Sequence, residues 1–262
     1  MFSSLWTFRH FILSSIRADM RNRFARSRLG ALWFILHPLA QALIFSIVLA
    51  EVLGARLAGV DNNAAYPIYL LSGLAAWTLF SEILTRSVGI FIEQANALKK
   101  ISFPRLSLPI IVWGSALVNH LLLLVAILGI FALIFGHYPT SAWLAIPIGM
   151  ALISMLAFGL GVFLGVLNVF SRDVAQVMTV VVQLWFWMTP IVYPRSIVPE
   201  SYRAFIDLNP MVPLVSIYQD AMLFDAWPDP AALIVPTAIG LLAIILSFVV
   251  FRRASSDLVD AL

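Results

Sequence analysis

Apolar residues along this chain gather into six long runs, at about 29–53, 66–92, 107–135, 143–167, 174–193 and 231–251, with polar positions confined to the stretches between them. A helix needs about 20 residues to cross about 30 Å of hydrocarbon. Five of the runs exceed that length and the fifth in order, 174–193, just reaches it. Backbone amides inside lipid must bond within their own segment, so each run predicts a transmembrane helix. Six crossings return both termini to one side. Ahead of the first run, Leu5, Phe8, Ile12, Ile16 and Met20 recur at helical spacing, with His10, Ser14, Arg17 and Arg21 opposite. That pattern predicts an amphipathic interfacial helix over 1–28, interrupted by Arg9 and Asp19.

The stretches between runs are unequal. Residues 93–106, "EQANALKKISFPRL", read as one or two helical turns stopped at Phe103-Pro104, because proline disfavours helix in the residue before it. Residues 194–230 carry six prolines, yet "PESYRAFI" (199–206) and "PLVSIYQDAMLF" (213–224) are too apolar for a solvated linker. They predict two short helices that dip into the membrane without crossing it, each opened by proline in its first turn.

Composition agrees with the pattern. The 262 residues are 62% hydrophobic and 11% charged, with a mean hydropathy of +0.99, whereas soluble domains are about 45–50% apolar and about 25% charged. The expected fold class is all-α integral membrane. A net charge of +3 would suggest nucleic acid in a soluble protein. Here the basic residues flank apolar runs, so they orient helices and no nucleic-acid partner is expected. With the N-terminus inside, Arg9, Arg17, Arg21, Arg23, Arg26, Arg28, Lys99, Lys100, Arg105, Arg172, Arg252 and Arg253 are cytoplasmic, against Arg56, Arg195 and Arg203 outside. Twelve against three, with Arg86 inside a run, fixes both termini in the cytoplasm by the positive-inside rule. The first run is too long for a signal peptide, whose apolar core spans about 7–15 residues, and its end lacks a clear small-residue cleavage site.

Candidate chemistry is sparse. Cysteine is absent, no phosphate loop or dinucleotide fingerprint occurs, and His10, His37, His120 and His137 do not share a metal-ligand spacing. No catalytic residue and no cofactor is expected in this chain. Glu82 and Arg86, four apart in the second run, form either a self-neutralising helical pair or part of a proton relay. His37-Pro38 predicts a kink in the first run, and Glu51 falls near its outer, solvated end. Trp185, Phe186, Trp187 and Tyr193 close the fifth run. They read as an interfacial aromatic belt or, for one or two of the rings, as the wall of a conduit.

Six stretches in order, "RNRFARSRLGALWFILHPL" (21–39), "LLSGLAAWTLFSE" (70–82), "NALKKISFPRLSLP" (96–109), "NVFSRDVAQVM" (168–178), "WMTPIVYP" (187–194) and "LNPMVPLV" (208–215), resemble the membrane subunits of ATP-binding-cassette exporters for polysaccharides and polyol phosphates. The resemblance covers nearly the whole chain. It implies a homodimer in the bacterial inner membrane, serving two copies of a separate nucleotide-binding subunit that holds ATP and magnesium. The first and fifth spans then line a passage for a lipid-linked polysaccharide, with Phe34, Gln41, Gln183, Trp185, Trp187 and Tyr193 as candidate lining residues. Arg17, Arg21, Arg23, Arg26 and Arg28 would guide substrate loading. Asn96, Lys99, Lys100, Arg172 and Asp173 would meet the ATPase through the coupling loop 93–106 and a second cytoplasmic turn. Tyr202, Phe205 and Tyr218 would belong to an outer gate over 194–230.

O-antigen is the first expectation for the cargo, with capsule or teichoic-acid polymer as the alternative. Two other classes compete. A secondary transporter would need ion-coupling residues and often inverted repeats, of which only Glu82–Arg86 gives a trace. A membrane glycosyltransferase would need an acidic cluster, and Asp220, Asp225 and Asp229 lie in the outer segment without a motif.

Overall fold

The structure, a computed structural model, describes residues 6–25, 64–100 and 103–254, with isolated positions 32, 33, 36, 40, 258 and 261. Among the described residues the regular elements are all helices, with no strand. In chain order the α-helices are α1 (Arg9–Ala25), α2 (Ala65–Glu93), α3 (Ala95–Lys100), α4 (Ser107–Phe135), α5 (Ile146–Phe170), α6 (Asp173–Trp187), α7 (Glu200–Asp207), α8 (Met211–Leu223) and α9 (Ile234–Ala254). Short 3-10 turns at Ser141–Ala145 and Arg195–Ile197 lead into α5 and α7. The run 29–53, with His37-Pro38 and Glu51, lies outside the described residues.

Among the described residues four helices are long and apolar enough to cross a membrane: α2, α4, α5 with its leading turn, and α9. The fifth run departs from its sequence reading. Its helix, α6, stops at Trp187 after 15 residues, short of the predicted 193. Pro190 explains the stop, since it lacks an N–H and strains the helical conformation of Thr189 before it. In the last inter-run stretch, Pro199 and Pro210 stand immediately before α7 and α8. Helix α8 starts two residues earlier than predicted, with Pro213 tolerated inside its first turn.

Lipid tails are as apolar as leucine, so spanning helices associate through close packing rather than through the hydrophobic effect. Small residues on α5 provide it on two faces. A Cβ on Gly165 would come within 2.5 Å of the Ser87 carbonyl oxygen of α2, and one on Gly161 within 2.6 Å of the Ser87 Cβ. One on Gly159 would meet the α9 backbone at Ala243–Ile244 at 2.7 Å. These contacts run α2, α5 and α9 parallel, with α5 in the middle. Helix α2 is the most enclosed, burying Phe80, Ile83, Leu84 and Phe91 completely. Gly136, at φ 63°, ends α4 in a left-handed cap, letting the His137 N–H bond to the Phe131 carbonyl.

Candidate functional site

Among the described residues, two polar assemblies interrupt the apolar bundle. The first lies toward the α3 end. Arg86 of α2 donates from Nη2 to Asp19 Oδ2 of α1 at 2.9 Å and from Nη1 to Glu82 Oε1 at 3.3 Å. Asn119 Nδ2 of α4 donates to the same Glu82 oxygen at 2.7 Å. The helical pair expected from the sequence therefore exists, and Asp19 joins it. The residue that broke the amphipathic pattern of α1 does so because it faces a partly buried arginine. The apolar face of α1 packs on α4, with Ile16 against Gly114 and the Phe11 ring 5.5 Å from that of Phe103. Arg17 and Arg21 are exposed, four apart on the opposite face. The Arg23 side chain, Arg26 and Arg28 lie outside the described residues.

At the α3 end, Asn96 and Lys99 are exposed while Leu98 is buried, so α3 packs on one face and presents polar groups on the other. The Lys100 side chain lies outside the described residues. Arg172 and Asp173 are exposed at the turn between α5 and α6. Asn168 holds that turn. Its Nδ2 donates to the Val88 carbonyl of α2 at 3.0 Å, and its Oδ1 accepts from the Ala175 N–H at 3.0 Å. A side-chain amide thereby supplies a cap at the start of α6 and ties it to α2.

The second assembly lies at the opposite end, where α6 breaks. Residues 188–194 fold back as non-helical backbone against the bundle, and their carbonyls find side-chain donors. Tyr66 OH donates to the Val192 carbonyl at 2.7 Å, Tyr69 OH to that of Pro190 at 2.9 Å, and Gln219 Nε2 of α8 also to Pro190 at 3.1 Å. Irregular backbone among spanning helices is tolerated only where protein or a cavity satisfies it, and these donors meet that need. Asn209 is the hub. Its Oδ1 accepts from Trp185 Nε1 at 2.7 Å and from the Met211 N–H at 2.9 Å, while Nδ2 donates to Thr189 Oγ1 at 2.9 Å. Gly73 admits this packing, since a Cβ there would come 2.7 Å from Gln219 Nε2.

The aromatic residues at this break separate by facing. Trp185 turns inward, its ring edge-on to Phe80 at 5.0 Å, and Phe186 packs edge-on to Trp77 at 5.6 Å. Trp185, expected as a lining residue, is half-buried, its indole N–H bonded to Asn209 and its ring packed on Phe80. Trp187 is 53% exposed, Gln183 is exposed, and Tyr193 is half-buried with its OH donating to the Trp187 carbonyl at 2.8 Å. Successive residues on a helix point about 100° apart, so the three consecutive rings cannot share a face. Phe34 and Gln41 lie outside the described residues.

Tyr202 and Phe205 of α7 are exposed. Tyr218 of α8 is fully buried and bonded to His120 Nε2 of α4 at 2.9 Å. Of the three residues expected in the outer gate, it is the one that packs inside the bundle. His137 Nε2 meets the Met222 carbonyl at 2.5 Å, a second tie between α8 and the α4 end. Asn209, Gln219, Asn168 and Asn119 were missed as individual residues. Asn209 and Asn168 do fall within quoted stretches, and three of those stretches, around Gly73, Pro190 and Asn209, converge here.

Comparison with known proteins gives these contacts a context. Residues 11–223 match the family model described as ABC-2 type transporter. The chain is 28% identical over 208 residues to the O-antigen export system permease protein RfbA of Klebsiella pneumoniae, covering 78% of this chain and 77% of that one. It is 25% identical over 260 residues to the RfbA of Myxococcus xanthus, covering 98% and 97%. It is 26% identical over 209 residues to the polysialic acid transport protein KpsM of Escherichia coli, covering 78% of each. With the family model matching most of its length and several helices long enough to cross a bilayer, this multi-pass membrane chain belongs to the ABC-2 type transporter family.

Proposed function

We propose that this chain is the membrane subunit of an ATP-driven exporter that moves a lipid-linked polysaccharide from the cytoplasm across the inner membrane. O-antigen is the first choice of cargo, and capsule or teichoic-acid polymer is the alternative. The observation that carries the reading is the similarity, along 98% of the chain, to an O-antigen export permease, together with the family match over 11–223.

In this reading two copies of the chain form the passage and two copies of a separate nucleotide-binding subunit bind ATP and magnesium. Each copy crosses the membrane six times, with both termini cytoplasmic and α1 lying in the interface. The exposed Asn96 and Lys99 on α3, with Arg172 and Asp173 at the next turn, are the docking points for the ATPase. Gln183, Trp187 and Tyr193 face the passage, joined by Phe34 and Gln41 of the first span. An exposed indole offers a flat apolar face to sugar C–H groups. Arg17 and Arg21, with Arg23, Arg26 and Arg28, attract the anionic head of the lipid-linked substrate. Helices α7 and α8, over 194–230, form the outer gate.

The chemistry of transport asks this chain for geometry, not bond-making. Closure of the ATPase pair displaces α3, and α2 and α4, which flank it in sequence, carry the displacement into the bundle. The test is reconstitution of the chain with its ATPase in proteoliposomes, scoring ATP-dependent movement of a lipid-linked glycan. Transport by the chain without the ATPase, or glycan synthesis in place of movement, would overturn the proposal.

A further inference from the structure

An elongated groove of about 560 Å³ opens on the outward face of the bundle between α4, α5 and α9. Its walls include Trp113 and Leu117 of α4, Met150, Met155 and Phe158 of α5, and Ile244 of α9. The register of the helices gives its direction. Asn119 sits beside Glu82 and Gly161 beside Ser87, which puts Leu117 and Phe158 near one level. From there the lining extends along α4 to Ile110, toward the α3 end, and along α5 to Met150, toward the other. At 1.5 Å per residue this is a furrow about 20 Å long, parallel to the spanning helices.

Its chemistry is uniform. Ser154 carries the single hydroxyl of the lining, and its Oγ is buried with no hydrogen-bond partner among the described residues. Apart from this hydroxyl and the Trp113 indole N–H the lining is hydrocarbon and thioether, with no charged side chain to hold a phosphate head group. The flanking surface is apolar and outward-facing, with Ile148, Leu241 and Ile245 all exposed. On a chain of this class that surface is solvated by lipid tails. Taking a methylene as about the size of a water molecule, roughly 30 Å³, the groove holds on the order of 19 carbons. That is the scale of one phospholipid acyl chain.

We infer that this groove is a lipid site, holding one acyl chain of a bilayer phospholipid lengthwise between α4 and α5. The chain fills a gap that the protein's own side chains leave open, where an empty apolar void would forfeit dispersion contacts on every wall.

The full-length chain is reconstituted in phosphatidylethanolamine–phosphatidylglycerol vesicles containing a phospholipid with a mid-chain diazirine. After illumination, labelled peptides are mapped by mass spectrometry. Labelling at Trp113, Met150, Met155 and Phe158 is expected to exceed that at the exposed Val125, Leu133 and Ile245 severalfold. Ala151→Trp, which fills the groove, should remove the excess while leaving the elution profile of the purified protein unchanged. Ser154→Leu is the second filling variant should Ala151→Trp fail to fold. Uniform labelling of all outward faces would overturn the inference, as would an excess that survives filling. So would capture of segment 29–53 or of a second copy by a photo-crosslinking amino acid at position 113. The readout needs neither ATPase nor glycan, so its result stands apart from the transport proposal.

Discussion

Asp19 and Arg86, 67 positions apart, meet at 2.9 Å across the boundary between α1 and α2. Both side chains are about three-quarters buried, and Arg86 also holds Glu82. Removing the cation takes from both carboxylates a charged partner that they share in a partly desolvated site. Arg86→Gln is therefore expected to cost about 2–4 kcal/mol and Asp19→Asn about 1–2 kcal/mol. The double variant should cost less than the sum, because the two side chains share one interaction. Thermal unfolding of the detergent-purified protein checks the cycle, and strict additivity would mean that the two residues do not interact.

Asn209 satisfies Trp185, Met211 and Thr189 at once. Asn209→Ala strands the indole N–H and a backbone N–H at the break in α6, with an expected loss of about 2–4 kcal/mol. Trp185→Phe removes only one member of the network and should cost less. Folded yield and unfolding midpoint separate them, and equal losses would deny Asn209 its role as hub.

Gly165 packs on the Ser87 carbonyl with no room for a side chain. Gly165→Ala should force α2 and α5 apart and destabilise the protein by about 1–3 kcal/mol despite alanine's higher helix propensity. Gly129, with open space around its Cα, is the control: Gly129→Ala should be neutral or mildly stabilising. Parallel thermal scans of the two variants give the comparison.

The exposed pair Arg195–Asp207 is bidentate, at 2.8 and 2.5 Å. Both side chains are about half exposed, so water competes for them. Asp207→Asn is expected to cost less than about 1 kcal/mol. A larger drop in the unfolding midpoint would show that the link between the turn at 195–197 and α7 is stronger than its exposure implies.

Lys99 presents its charge outward on α3. Lys99→Glu together with Lys100→Glu is expected to reduce recovery of the ATPase subunit in co-purification without changing the yield of the membrane subunit. Trp187→Ala is expected to slow glycan export with folded protein retained, since the exposed ring contributes little to packing. Unchanged ATPase recovery would remove the docking role from α3, and unchanged export would return Trp187 to the aromatic belt.

Residue order alone gave the class of the molecule and the approximate extents of most of its described helices. A run such as 107–135 needs no tertiary partner to become a helix in lipid, because its backbone has no other way to satisfy itself. The observed α4 has those bounds. The local pair Glu82–Arg86 was equally legible, since four-residue spacing on a helix fixes proximity. The tertiary structure alone decided which polar residues meet at a distance: Asp19 with Arg86, Asn119 with Glu82, His120 with Tyr218, and Asn209 with Trp185. It also decided which rings of "WFW" face inward, whereas the stop of α6 at Trp187 rather than at 193 follows from Pro190, a local signal already present in the sequence. Hydropathy records how much a segment avoids water, and in a membrane every outward and inward face avoids it alike. The direction of each side chain is set by the neighbouring helices, and that information is not local.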